Sequence, residues 1–426
     1  MVTKGCFMNK RFFMNKQFSM NERLSPAGAV LCVWTACLVL SAAADPIIQF
    51  RPGQPIQCNE APLGAATTYA IPCVVDWNRD GRKDLLVGYQ SEGKIALYLN
   101  VGTDAQPLFT NSTIINLKTS GGGDIKYPAG GCGAPAPWVC DFDGDGKQDL
   151  LVGDGDKGKV YFHRNLNADP NATPILAAGV PLMVGTNILT VDSRGRATPL
   201  VCDWNGDGLN DLLCGDYDGY VWFFRNTNTA QAPIFDSGVK IQAGATNLRL
   251  GGSLGGVGRS FVRLFDFDGD GLRDLVCSSD GGVYWCRNTN SDLNPILQPP
   301  VPIYVPVTNH LVPVITGSIP GSRMRSDVAD WNNDGVMDLI LGDYSGKVYF
   351  FEGYRFALTR VTSQPGGQTV LQWNSSSNLN YNILAGSSPG DLLIKVANNL
   401  PSGGNTTLWT NTAAGNQQFY RVQTAP

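Results

Sequence analysis

Residues 141–150, DFDGDGKQDL, carry aspartates at 141, 143, 145 and 149, which are positions 1, 3, 5 and 9 of a short stretch. In an extended turn every second side chain faces inward, so these carboxylates converge. A hard divalent cation such as calcium takes about six to eight oxygen ligands and suits that donor set. Gly146 sits at position 6, where the chain must turn sharply, and Lys147 at position 7 is placed to offer its backbone carbonyl. The pattern is the first part of an EF-hand loop, ending in Asp at position 9 with no Glu at position 12.

The stretch occurs five times. DWNRDGRKDL opens at Asp76, DWNGDGLNDL at Asp203, DFDGDGLRDL at Asp266 and DWNNDGVMDL at Asp330, at intervals of 62 to 65 residues. Each copy keeps an oxygen-bearing side chain at positions 1, 3, 5 and 9, Gly at 6 and Leu at 10. The candidate metal ligands are therefore Asp76, Asn78, Asp80, Asp84 and the carbonyl of Arg82 in the first copy. The second offers Asp141, Asp143, Asp145, Asp149 and Lys147; the third Asp203, Asn205, Asp207, Asp211 and Leu209. The fourth offers Asp266, Asp268, Asp270, Asp274 and Leu272; the fifth Asp330, Asn332, Asp334, Asp338 and Val336. An Asp-Gly turn that binds nothing needs Gly and one Asp, not four oxygens in fixed phase. The expectation is about five structural calcium ions, one per copy.

The elements around each copy read alike. In the third, ATPLVC is a short apolar strand, DLLCGD a second, Asp218-Gly219 a turn, YVWFFRN a third strand and PIFDSGVKIQ a fourth. Repeated four-stranded units with short turns point to a β-propeller. PIIQFRPGQPIQ, residues 46–57, resembles the fourth strands, and no fourth strand follows the fifth copy in phase. The predicted fold is all-β: a five-bladed propeller over residues 45–353, its N-terminal strand closing the last blade. That closure leaves no open edge between first and last blades.

The chain has 426 residues, formal net charge −4 and 43% hydrophobic content, with Gly 50 and Pro 26, which suits a turn-rich β architecture. No basic run supports nucleic acid as a partner. The only histidines, His163 and His310, argue against a histidine triad or a multi-histidine zinc site.

Residues 1–44 read as a signal peptide: scattered Lys and Arg, an apolar run over 27–40, then Ser41-Ala42-Ala43-Ala44 before Asp45. The predicted location is secreted, extracellular or cell-surface, with the periplasm as a variant and no membrane span after cleavage. Export permits disulfides. Gly281-Gly282 reads as a hairpin turn that sets Cys277 opposite Cys286, so these two form a bridge or remain buried thiols.

Long connections at 119–135, 247–259 and 306–325 fall between a fourth strand and the next inner strand, on one rim, the default place for binding. Arg194, Arg196, Arg259, Arg323 and Arg325 stand just before inner strands. Arg196, Arg259, Arg323 and Arg325 are candidate ligand-binding residues for an anionic group such as an acidic sugar, or else strand-capping arginines. Trp77, Phe142, Trp204, Phe267 and Trp331 fill position 2 of the loops, where packing between blades explains their recurrence better than a sugar platform. Residues 354–426 change composition: Asp391 is their only acid, and alternating short strands predict a C-terminal β-sandwich with Trp373 in its core.

The D-x-[DN]-x-D-G-x-x-D-L loop, followed by G-D, V-Y-F-F and R-N-T, resembles the FG-GAP/VCBS repeats of secreted bacterial proteins and the calcium loop of the integrin alpha propeller. The resemblance covers residues 46–353 and implies calcium held at the positions named above. It departs from integrins in blade number and in a blurred FG-GAP motif. The segment ending in QFYRV resembles C-terminal modules of secreted bacterial proteins. Together these lead to a non-catalytic module that binds an extracellular glycan or surface protein. The alternatives are a polysaccharide lyase or glycoside hydrolase built on the propeller, which would need two facing carboxylates, and a structural spacer in a surface complex. Asp154, Asp216 and Asp343 are available acids, but they recur in phase at turns.

Overall fold

The computed structural model describes residues 29–34, 37–39, 48–64, 69–127, 134–191, 194–251, 258–307, 310–313, 324–355, 358–364, 368–375, 380–386, 394–404, 406–411 and 419–424. These residues are all-β and propeller-like, with no α-helix among them and one three-residue 3-10 turn, Asn111–Thr113. No helix among them is long and apolar enough to cross a membrane.

Five antiparallel sheets have four strands each. In chain order their first strands are Ala70–Val75, Ala136–Cys140, Thr198–Cys202, Phe261–Phe265 and Arg325–Ala329. Their second strands are Asp84–Tyr89, Asp149–Gly153, Asp211–Gly215, Asp274–Ser279 and Asp338–Gly342. Every residue of these second strands is buried. Both faces pack, which is why DLLVG and DLILG are continuous apolar runs and not alternating ones. The fourth strand of the last sheet comes from the other end of the chain: Gln54–Pro55 pairs with Tyr349–Phe350. The preceding Ile48–Phe50 pairs with Gly353–Arg355.

First strands of successive sheets lie side by side, and the fifth lies against the first. Glycine makes this approach possible. A Cβ on Gly153 would meet Ala197 O at 2.0 Å, on Gly215 Ser260 O at 2.0 Å, and on Gly342 Ala70 O at 2.1 Å. Beside each, the next strand donates across: Ala197 N to Asp154 O, Ser260 N to Asp216 O and Ala70 N to Asp343 O, all at 3.1 Å. The last of these joins the fifth sheet to the first.

Two expectations need correction. The fourth strands are two residues long in most sheets, Val180–Pro181, Val239–Lys240 and Val301–Pro302, not the ten of PIFDSGVKIQ. A Cβ on Gly238 would meet the Phe224 ring at 2.4 Å, and Pro181 and Pro302 have no N–H to extend their ladders. In the fourth sheet Ser279 pairs with Gly282, so the hairpin turn is Asp280-Gly281, one residue earlier than Gly281-Gly282. Cys277 therefore faces Tyr284, and Cys286 faces Leu275. Cys277 and Cys286 are buried free thiols, as are Cys58, Cys73 and Cys214. Cys132 lies outside the described residues.

Beyond Gly353 a three-stranded sheet, Leu358–Gln364, Gln368–Asn374 and Thr406–Thr410, accompanies a second sheet that contains Asn380–Gly386, Ile394–Pro401 and Phe419–Thr424. Leu371, Trp373, Tyr381, Ile383, Tyr420 and Val422 form one core between them. Ala29–Trp34 adds to the second sheet by pairing with residues of Phe419–Thr424, and Cys37–Val39 pairs with it in turn.

Candidate metal centres

Each repeat's loop joins its first and second strands, and the five loops share one backbone plan. Position 6 is left-handed in all of them, with φ of 84° at Gly81, 83° at Gly146, 84° at Gly208, 87° at Gly271 and 84° at Gly335. Position 4 is left-handed as well: Arg79, Gly144, Gly206, Gly269 and Asn333 have φ between 59° and 77°. Three glycines and an asparagine at position 4 were visible in sequence. Arg79 is the exception that hides the rule, because a residue with a Cβ pays to sit there.

The acids and amides are aimed by the backbone. The carboxylate at position 1 accepts the N–H of Gly at position 6, at 2.9 Å for Asp76, Asp203 and Asp266 and 3.0 Å for Asp141 and Asp330. The position-3 oxygen accepts the N–H of position 5, from Asp145 to Asp143 at 3.3 Å and from Asp207 to Asn205 at 2.8 Å, for example. The position-5 carboxylate accepts the N–H of position 7, as from Lys147 to Asp145 at 3.1 Å. Asn78, Asp80, Asp268, Asp270, Asn332 and Asp334 repeat the pattern. Lys147 does more than offer a carbonyl: its ammonium lies 2.9 Å from Asp145, and Arg82 likewise pairs with Asp80.

Position 9 is different in kind. Asp84, Asp149, Asp211, Asp274 and Asp338 are fully buried. One oxygen of each accepts the N–H of position 2, at 2.8 to 3.2 Å, from Trp77, Phe142, Trp204, Phe267 and Trp331. The other accepts the N–H of the residue after or near the third strand: Asn100, Asn165, Asn226, Asn288 or Gly353, at 2.7 to 2.8 Å. This aspartate ties the loop to the third strand. Burial pushes the Asp84, Asp149 and Asp274 carboxyls up to about 6 and Asp338 up to about 7, and it raises Asp211 as well.

In the second and fourth loops three carboxylates, Asp141 with Asp143 and Asp149 and Asp266 with Asp268 and Asp274, bring oxygens within 4.8 Å of one another. These oxygen-only donor sets fit a hard cation. A guanidinium approaches each from the end of the third strand. Arg164 lies 2.7 Å from Asp143 and 3.3 Å from Asp145; Arg287 lies 2.6 Å from Asp268 and 2.9 Å from Asp270. Arg225 meets only Asp207 in the third loop, at 3.0 Å. Sequence reasoning gave these arginines no role, although the recurring R-N after the third strand was the signal. Burial raises Asp143 and Asp268 above the ordinary carboxylate value despite the arginines.

Four of the position-2 rings, Trp77, Phe142, Phe267 and Trp331, are buried core, and Trp204 packs half-buried against it. Phe142 packs on Phe235 of the next repeat with centroids 6.4 Å apart, and Trp331 on Phe109 of the first repeat at 6.2 Å. Of the rim arginines, Arg196, Arg259 and Arg325 are buried. Arg325 stacks over Tyr69 at 4.9 Å and Arg196 lies over the same ring at 5.7 Å, while Arg259 pairs with Asp280 and stacks on Tyr217. Arg194 pairs with Asp218. Arg323 lies outside the described residues. Asp154, Asp216 and Asp343 each accept backbone N–H groups of their own hairpin turn, from Lys157, Tyr220 and Lys347 at 2.8, 2.8 and 3.0 Å.

A model of the FG-GAP-like repeat family matches residues 266–341, and a model of the FG-GAP repeat matches residues 139–163. No curated protein matches the sequence. Among solved structures the chain is similar to a Photorhabdus luminescens Tc holotoxin pore, with 16% identity and a TM-score of 0.34 over 83% of this chain. It spans only 17% of that protein's length. It is similar to an Agrocybe aegerita lectin described as recognising non-reducing terminal N-acetylglucosamine, with 16% identity and a TM-score of 0.34 over 81% of this chain and 86% of the lectin. A glycoside hydrolase shows 9% identity and a TM-score of 0.33 over 85% of this chain and 97% of its own. Likenesses at these scores leave the chemistry to be argued from the loops themselves. Two segments of the chain, residues 139–163 and 266–341, thus match FG-GAP-type repeats.

Proposed function

We infer that this chain is an exported, calcium-braced five-bladed propeller that acts by binding an extracellular glycan or surface protein. The observation that carries the metal reading is the shared cage. In all five loops the oxygens at positions 1, 3 and 5 are held by the loop's own N–H groups, while position 9 anchors the loop to its sheet. Side chains at positions 1, 3, 5 and 9 and the carbonyl at position 7 would hold the ion. The ion would neutralise acids that otherwise repel one another beneath a rigid rim. The five-bladed, closed reading draws support from the contact of the first and fifth inner strands and from Gln54–Pro55 in the last sheet. Binding is favoured over hydrolysis because Asp154, Asp216 and Asp343 are spent on turn hydrogen bonds.

Exhaustive chelation is expected to lower the melting temperature by about 10 °C or more, and calcium to restore it. An unchanged melt would remove the metal from this reading. A glycan array read with and without calcium tests the binding role. Product release from an acidic polysaccharide would replace it with catalysis, and binding to no glycan or surface protein would leave a spacer.

A further inference from the structure

The residue at position 8 is not a metal ligand in any reading above, yet in three of the five loops it reaches out of its own repeat. Asn210, position 8 of the third loop, donates its amide to Asp141 O at 3.0 Å and Phe142 O at 3.2 Å, the backbone of positions 1 and 2 of the second loop. Arg273, position 8 of the fourth loop, donates to Asp203 O of the third loop at 3.4 Å. Lys83, position 8 of the first loop, donates to the side-chain oxygen of Asn333 in the fifth loop.

Two of these arms are themselves held. Asp104 accepts Lys83 N at 2.7 Å, pairs with the Lys83 ammonium at 3.0 Å and accepts the Asn333 amide at 2.7 Å. Asp292 occupies the same place in the fourth repeat, accepting Arg273 N at 2.6 Å and pairing with its guanidinium at 3.2 Å. A carboxylate in the loop after the third strand thus aims the position-8 cation at the preceding repeat. The two remaining junctions lack such an arm. Gln148 leaves its buried side-chain oxygen without a hydrogen-bond partner. Met337 has no polar group to offer.

We propose that the position-8 side chains couple the metal loops of neighbouring repeats, making the second, third and fourth loops one linked set and the fifth and first another. This rests on the reading that the loops hold divalent cations. An ion would hold position 1, and the Asn210 and Arg273 arms hold the backbone of that same position from the next repeat, while the Lys83 arm holds the position-4 side chain of the fifth loop. Whichever is ordered first lowers the entropy cost of the other. The junctions from first to second and from fourth to fifth transmit nothing by this route.

Calorimetric titration of the metal-free full chain with calcium alone tests it. Asn210→Ala is expected to weaken the second and third loops about fivefold, the worth of one ordinary hydrogen bond, and to flatten the isotherm. Lys83→Ala does the same for the first and fifth loops, and Gln148→Ala changes nothing. Asp141→Asn, which removes a ligand from the second loop, should weaken the third loop in the native background but not beside Asn210→Ala. Calcium binding with Asn210→Ala and Lys83→Ala titrating as the native chain does would overturn the coupling. So would an Asn210→Ala melt lowered equally with calcium and with chelator, since the bond would then be a brace indifferent to metal. A native chain that binds no calcium at millimolar supply instead overturns the metal reading beneath it.

Discussion

The second and fourth loops differ from the first, third and fifth at one chemically decisive position. Asp143 and Asp268 stand where Asn78, Asn205 and Asn332 stand in the others. The backbone does not register the difference: the same N–H groups point at positions 1, 3 and 5, and the same buried aspartate closes the loop at position 9. Charge does register it. Arg164 and Arg287 each span two carboxylates, whereas Arg225 meets one. Geometry is therefore set by backbone hydrogen bonds common to every repeat, and the number of carboxylates is free to tune how tightly each cage holds its ion.

The sharpest way to break that division is at position 9. Replacing Asp149 or Asp338 by alanine strands two buried N–H groups and is expected to cost about 3 kcal/mol or more even in chelator. The melting temperature should fall by roughly 6–10 °C. The loss should be similar in acid-rich and amide-containing loops. A large loss at Asp149 with almost none at Asp338 would show that the loops are not built alike.

Charge comes next. Asp143→Asn is expected to weaken calcium binding in the second loop about tenfold with little change in the chelated melt, and Asn205→Asp to strengthen the third loop by a similar factor. Calorimetry reads both, and equal affinities in native and variant loops would make position 3 a bystander.

A smaller effect follows from pH. Asp84, Asp149 and Asp274 titrate near 6 and Asp338 near 7 when folded, above the unfolded carboxylate value of about 3.9. The folded, metal-free chain binds protons that the unfolded chain does not. Its stability should therefore rise as pH falls from about 7 to about 4, and be lost again as pH rises through the folded values. Calcium competes with those protons, so its stabilising effect should fade across the same window. Melts in chelator and in calcium at stepped pH check both slopes, and a chelated chain that loses stability on mild acidification would contradict the burial of these carboxyls.

The smallest expected effect is at the turn glycines. A Cβ on Gly335 meets nothing within 4 Å but must sit at φ 84°, so Gly335→Ala should cost about 1 kcal/mol. Gly342→Ala, with Ala70 O at 2.1 Å from its Cβ, should cost several times more. Equal melts for the two would mean that the inner strands can separate without penalty.

The loops, their spacing, the left-handed glycine at position 6 and the run of four short strands were legible in the sequence. All of these are local: a turn and an alternating or fully apolar strand are fixed by residues within reach of one another. The Cys277 register was misjudged by one residue because two consecutive glycines allow the turn at either place. Only the tertiary structure decided that Asp149 binds Asn165 N, sixteen residues away, that Gly342 must be glycine because Ala70 from the other end of the chain lies on it, and that Asn210 reaches into another repeat. Those contacts depend on how one sheet is rotated against the next, a quantity that no local pattern carries.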